Sequence, residues 1–343
     1  MSLIITDAPM TKNEKTDPNS GSSNNQNRVN ILDYLEGFIL HAPYRKKPNG
    51  EVGLRKSTLH TYTNFRLHLQ RFLKDHQKNA LHFTDLNRQT VESFTRWLLE
   101  ERKFSQNHSG RILATLKTLA RDAKKNEIAV HPFIKHISGF SQQSHKRVIN
   151  ILNFTDLRKI EAVCLEKKHL ENVRSWLIIG FWIGQRVSDL LTLTPHQLRS
   201  APNGGLYVDI HQQKTDKKVT VGVIDPLALE ILRHRFPKKL LPQRFNKYLK
   251  IVLHKAGIDE MVTGFKFNAK TQRKELGIFP KYHVISSHDL RRSFATNFFG
   301  KIPTPILMNM TGHTKESTFM GYIGRDPNRD SYADAFMEGV KRM

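Results

Sequence analysis

A mainly α fold with a small antiparallel β-sheet, divided into two domains, is predicted by three observations. The length of 343 residues suits two domains of ordinary size, each with its own core. Apolar residues recur on the 3.6-residue period through most of the chain, as amphipathic helices require. Between residues 206 and 223, β-formers cluster on both sides of a polar stretch, which is the pattern of an antiparallel hairpin.

Taken in order, residues 1–28 form a tail expected to be disordered, because the stretch from Pro18 through Asn27 offers no apolar side chain to bury. A helical domain follows over residues 29–137. It opens with a short apolar helix at 31–40 and a basic turn segment at 44–53 containing Pro48, Asn49 and Gly50. Ser57 is a candidate cap for a helix that aligns Tyr62, Phe65, Leu69, Phe72 and Leu73. Val91, Phe94, Trp97 and Leu98 make the next stripe, and Ile112, Leu116, Leu119 and Ala123 the third. Lys117, Arg121, Lys124 and Lys125 fall on the other faces of that third helix, where they either meet solvent or touch a polyanion. A polar, basic linker is expected at 138–150, and the second domain at 151–343.

In that second domain the nearly continuous apolar run from Trp176 to Trp182 predicts a helix buried on several sides. A hairpin is expected at 206–210 and 219–223, then a helix entered at Pro226 and running to about Phe236. Residues 263–285 have room for a second hairpin before a helix starting at Asp289.

Lys and Arg number 55 against 31 Asp and Glu, a net charge of +24. The first 27 residues carry two lysines against three acids, so the excess sits on the folded body. Such a surplus points to a polyanionic partner, of which nucleic acid is the commonest and a membrane surface the weaker alternative. A single cysteine, Cys164, excludes a disulfide framework and a multi-cysteine zinc site. With only Leu3 to Ile5 apolar before Asp7, neither leader nor anchor is expected, and the cytoplasm, in association with the nucleoid, is the expected location.

Four islands in the second domain carry reactive side chains. Gly184-Gln185-Arg186-Val187-Ser188-Asp189 breaks a buried helix and delivers an arginine. Gln213-Lys214-Thr215 lies at the hairpin tip, with Lys217 and Lys218 close by. His288 and Arg291 are three apart and share a helical face. Thr311-Gly312-His313 precedes Tyr322. Each island alone reads equally well as surface or packing.

The order Arg, Lys, His with Arg, His, then Tyr in one basic domain resembles the tyrosine recombinase (phage integrase) family from Thr155 to Tyr322. Gln185, Val187 and Asp189 depart from the family's usual Gly-Leu/Met-Arg-Ile-Ser-Glu box, and Thr311 from its Leu-Gly-His box, while the reactive residues are intact. The resemblance implies a helical core-binding domain followed by an α+β catalytic domain, and site-specific breakage and rejoining of DNA through a 3′-phosphotyrosine.

The residue types suit that reaction. Tyr322 is the candidate nucleophile. Arg186 and Arg291 can fork the non-bridging phosphate oxygens and stay charged at any physiological pH. His313 would add a hydrogen bond to the phosphate and His288 could accept the tyrosine proton. By resemblance Lys214 is the general acid for the leaving 5′ oxygen, with Lys217 and Lys218 as rivals. Asp189 and Asp289 read as orienting partners of the arginines rather than metal ligands. With no Walker loop and no zinc spacing, neither metal nor nucleotide cofactor is expected.

The spacing of Tyr332, Ala333, Ala335, Phe336, Met337 and Val340 can make an amphipathic tail helix that packs on its own domain or, as the resemblance implies, docks into a neighbouring subunit. The resemblance further implies a monomer in solution that forms a homo-tetramer on double-stranded DNA, with accessory DNA-bending proteins. Integration or excision of a mobile element is the expected use. A chromosome-dimer resolvase, a DNA invertase, a phosphotyrosine topoisomerase and a catalytically silent DNA-binding protein are the alternatives.

Overall fold

A computed structural model describes residues 28–46, 50–141, 148–271, 273–324 and 336–341. The expected disordered tail, except Arg28, lies outside the described residues, as do Pro48 and Asn49 of the basic turn and Tyr332, Ala333 and Ala335 of the expected tail helix. The chain divides into two compact units, Met1–His145 and Lys146–Met343. Among the described residues no helix is long and apolar enough to cross a membrane.

The first unit holds α1 (Ile31–Leu40), α2 (Lys56–Asp75), α3 (Arg88–Arg96) and α4 (Gln106–Lys125). The stripe Tyr62, Phe65, Leu69, Phe72 and Leu73 is buried against Phe94, Trp97, Leu116 and Leu119. Ser57 does not cap α2. Arg55 occupies the cap position in extended conformation and makes no side-chain capping bond, and Ser57 sits in the first turn, its carbonyl accepting from Thr61 Oγ1 at 3.2 Å. After Arg96 the helix widens into a π turn, Trp97–Glu101, that keeps Trp97 and Leu98 both inside. Trp97 Nε1 donates to Asp75 Oδ2 at 3.0 Å, fastening α3 to the end of α2. Phe140, expected in the linker, is partly buried against this core.

The second unit contains α5 (Phe154–Ala162), α6 (Lys168–Ile183), α7 (Val187–Leu190), β1 (Leu198–Ser200), β2 (Leu206–Gln212), β3 (Lys217–Val223), α8 (Pro226–His234), α9 (Pro242–Lys255), β4 (Met261–Asn268), β5 (Arg273–Pro280), α10 (Lys281–Val284), α11 (Ser287–Phe298), α12 (Thr304–Thr311) and α13 (Glu316–Met320). Trp176 through Phe181 are buried and α6 forms the centre of the core, with Leu190, Val208, Leu249 and Leu290 around it. The sheet is antiparallel in the order β1-β2-β3, its register running from Leu206 opposite Val223 to Gln212 opposite Lys217. β1 is too short to show a period in sequence. Asp225 caps α8 by accepting from Ala228 N at 2.9 Å, with Pro226 in the first turn; that helix ends at His234, two residues before the expected stop.

The second hairpin, β4-β5, is a separate two-stranded sheet. Its root is tied to α5 by Lys281, a buried lysine whose Nζ donates to Asp156 Oδ2 at 2.7 Å and to Glu260 Oε1 at 2.5 Å. Burial works against that lysine's charge, yet the two carboxylates outweigh it and raise its pKa. Helix α11 starts at Ser287, ahead of the expected Asp289, because Ser286 and Asp289 form a capping box. His288 and Arg291 consequently fall in its first turns.

Candidate active site

Helix breaks deliver the site residues. Helix α6 ends at Gly184, in the left-handed region at φ 61°; a Cβ there would also lie 2.5 Å from the Phe294 ring. The chain then turns through the fully buried Gln185 to Arg186, which is extended and starts α7. Helix α12 ends likewise at Gly312, φ 72°. There His313 N donates to Met308 O at 2.9 Å and Gly312 N to Asn309 O at 3.0 Å, a Schellman closure that sends His313 sideways off the helix end.

Arg291 is fully buried. Its Nη1 donates to Gly184 O at 3.2 Å, and its Nη2 donates to Thr311 O and faces His313 Nε2 at 3.2 Å. Burial, reinforced by the neighbouring Arg186 charge, lowers its pKa, but a guanidinium still remains protonated at neutral pH. Its carbon lies 5.6 Å from the centre of the Tyr322 ring. That ring also lies 4.8 Å from His313 and 5.3 Å from His288, centre to centre. The structure therefore brings Arg291, His288, His313 and Tyr322 together, and the charge of Arg186 is felt at Arg291 and at both histidines.

The protonation of the two imidazoles follows from their neighbours. Thr311 Oγ1 spends its one proton on Leu307 O at 2.6 Å, so the contact of 2.8 Å between that hydroxyl and His313 Nδ1 has the ring donating. Nε2 then turns a lone pair toward Arg291. Burial, then Arg291, Arg186 and Lys217, push the His313 pKa down to about 4. His288 is lowered too, chiefly by burial and secondarily by Arg292. Both are neutral at physiological pH in the free protein.

The Tyr322 segment is anchored by Thr296, whose Oγ1 donates to Tyr322 O at 3.4 Å and accepts from Gly324 N at 2.9 Å. Lys214 is at the exposed β2-β3 tip, residues 213–216. Lys217 pairs with Gln212 and so shares its sheet face, whereas Lys218 pairs with His211 on the opposite face. Asp189 does not orient Arg186 by a hydrogen bond: its Oδ1 accepts from Gln213 N at 3.1 Å, holding the hairpin tip. Asp289 bonds Arg292 at 3.0 Å and the Ser286 cap, not Arg291. Gln185, Gln212, Thr296 and Thr311, which tie these parts together, were not singled out by chemistry; only the departures at Gln185 and Thr311 from the family boxes marked those two.

No group of three His, Cys, Asp or Glu side chains able to hold a metal occurs among the described residues. In the first unit Arg121, Lys124 and Lys125 line an open cleft of about 770 Å³ with Phe38, Thr118 and Asp122, while Lys117 donates to Lys135 O at 3.3 Å.

Residues 30–138 match the phage integrase SAM-like domain, and residues 150–329 match the phage integrase family. No curated protein sequence matches the chain. Among solved structures, a lambda integrase tetramer bound to a Holliday junction is similar with a TM-score of 0.63 at 15% identity, covering 92% of this chain and 84% of the other. The XerH recombinase bound to a palindromic difH substrate gives 0.59 at 18%, covering 90% and 95%. The Tn1549 transposon integrase with transposon right end DNA gives 0.57 at 12%, covering 92% and 99%. With the catalytic-family match spanning more than half its length, the chain belongs to the phage integrase (tyrosine recombinase) family.

Proposed function

We propose that this chain is a site-specific recombinase that integrates or excises a mobile element, with Tyr322 as nucleophile. The packing of the Tyr322 ring against His288, His313 and the Arg291 guanidinium carries this reading. The tyrosine oxygen attacks phosphorus, the bond to the 5′ oxygen breaks, and a 3′-phosphotyrosine forms. Neutral His288 takes the phenolic proton and Lys214 gives one to the leaving oxygen, Lys217 being its rival by position. Arg186 and Arg291 neutralise the charge gathering on the non-bridging oxygens. That task needs no metal or nucleotide, and rejoining reverses the same step.

For His313 to donate to the phosphate, its Nε2 must gain a proton when the anion arrives. A phosphate charge beside two arginines favours that change. Lys117, Arg121, Lys124 and Lys125 would add sequence-independent contacts to the duplex. Residues 336–341 are helical with Phe336, Met337 and Val340 exposed, which supports a tail that docks on a neighbouring copy in a DNA-bound tetramer assembled from monomers. Nucleoid location and accessory DNA-bending proteins belong to the same proposal.

The test uses a library of nicked duplexes with a randomised core, in which loss of a short fragment traps the covalent intermediate. Wild type should become covalently linked to a subset of sequences and Tyr322→Phe to none. Absence of any wild-type adduct, or an adduct with Tyr322→Phe, overturns the assignment.

A further inference from the structure

Gln212, the last residue of β2, is fully buried, and all four hydrogen-bonding positions of its amide are in use. Oε1 accepts from Arg186 Nη1 at 3.0 Å and from Thr215 Oγ1 at 2.7 Å. Nε2 donates to Gln185 Oε1 at 2.8 Å and to Thr311 O at 3.0 Å. Gln185 is held almost as fully: its Oε1 takes the one bond from Gln212, and its own Nε2 reaches Ile183 O at 3.0 Å and Met310 O at 2.8 Å. One side chain thus joins the arginine box, the hairpin tip beside Lys214, and the turn that delivers His313.

We infer that Gln212 is a positioning residue: it aims Arg186 at the phosphate, and through Thr215 it makes that aim depend on the folded state of the hairpin tip. The inference rests on the recombinase reading above. An amide is the group this task requires. A carboxylate at the same place would pair with Arg186 and compete with the phosphate for its charge, whereas an aliphatic side chain would leave the guanidinium without that tether. The space is reserved as well, since a Cβ on Gly312 would sit 2.4 Å from Gln212 Oε1. The departure at Gln185 follows: the leucine or methionine common in the family would leave Gln212 Nε2 with one buried bond unmade.

The experiment compares single-turnover adduct formation, at saturating protein, on the best duplex recovered from the library, made once with the ordinary scissile phosphodiester and once with a methylphosphonate. The methylphosphonate carries no negative charge for Arg186 to neutralise. Gln212→Leu should slow cleavage of the phosphodiester by about 10- to 100-fold, in the range a misaimed electrostatic group costs. DNA affinity should stay within about threefold, because other phosphate contacts carry it. On the methylphosphonate the defect should shrink to a few-fold. Thr215→Val should show the same pattern, more weakly.

Should Gln212→Leu unfold the protein, Gln185→Leu with Gln212→Leu decides instead, since removing both amides leaves neither orphaned; it should fold and show the same substrate dependence. An equal defect on both substrates, or none on either, overturns the inference while the wild-type adduct keeps the recombinase reading intact. If Thr215→Val is corrected by a sulfur leaving group, which needs no general acid, and not by the methylphosphonate, the link from tip to Arg186 is overturned. No adduct with wild type sinks the recombinase reading, and this inference with it.

Discussion

The cations of the catalytic unit and those on α4 of the first unit differ in how they are held. Arg291 is fully buried and clamped by two backbone carbonyls, and Arg186 is tethered to an amide oxygen. Arg121, Lys124 and Lys125 are exposed on the helix surface. The first pair is fixed by neutral hydrogen-bond partners, oxygens and an imidazole nitrogen, so no carboxylate among the described residues caps either guanidinium. Net charge brings a polyanion to the whole molecule, whereas only the pair held by hydrogen bonds in the site has a direction.

The sharpest way to break that contrast is Arg291→Lys. A lysine keeps the charge but loses the fork that spans Gly184 O and Thr311 O. Single-turnover cleavage should fall about 100- to 1,000-fold, the scale for one lost transition-state donor, while DNA affinity measured by filter binding changes little. If cleavage survives, placement adds nothing to charge and the distinction between the two sets disappears.

How much of this was legible in the sequence follows from where each signal resides. Glycines end α6 beside Arg186 and α12 beside His313; the first break is legible because it interrupts an apolar run, whereas His313 stands out only by its residue type and its place before Tyr322. Buried stripes such as Phe65, Leu69 and Phe72 were equally visible, because a helix repeats its own pattern. The amide junction was not. Gln212 meets Gln185 and Thr311 across 27 and 99 residues of chain, and nothing local distinguishes a buried, saturated glutamine from a solvated one. Asp189 is hidden for the same reason: adjacency to Arg186 suggests a pair, but its carboxylate reaches the hairpin tip instead. The hairpin lysine stayed ambiguous until the register put Lys218 on the face away from Gln212.

A smaller effect is expected from the exposed set. Lys124→Gln with Lys125→Gln should weaken binding to every duplex by a similar factor. If both lysines meet phosphates, the slope of log affinity against log salt should fall by about 2. Cleavage at saturating protein should remain at the wild-type rate. A sequence-selective loss, or slower chemistry once DNA is saturated, would mean that α4 does more than supply charge.

The weakest effect separates the units by acid sensitivity. Each contains a histidine pushed down to about 4. In His68 burial is the main cause, followed by His108, Arg71 and Arg102; in His313 it is again burial, followed by Arg291, Arg186 and Lys217. A histidine whose folded pKa lies below its unfolded value of about 6.5 leaves the unfolded chain binding more protons between those two values. Its contribution to stability is therefore complete above about pH 6.5 and is lost as pH falls toward 4. Melting temperatures measured across that window should decline with acid, and His68→Gln or His313→Gln should each flatten part of the decline. His108, His283 and His288 are lowered as well, so a residual slope should remain in the double variant. The two sites should diverge when DNA is bound, because phosphate beside Arg186 and Arg291 offsets the charges that hold His313 down, and burial of the His68 ring does not depend on them. A bound-state NMR titration in which His313 keeps its low pKa would contradict phosphate contact at that residue.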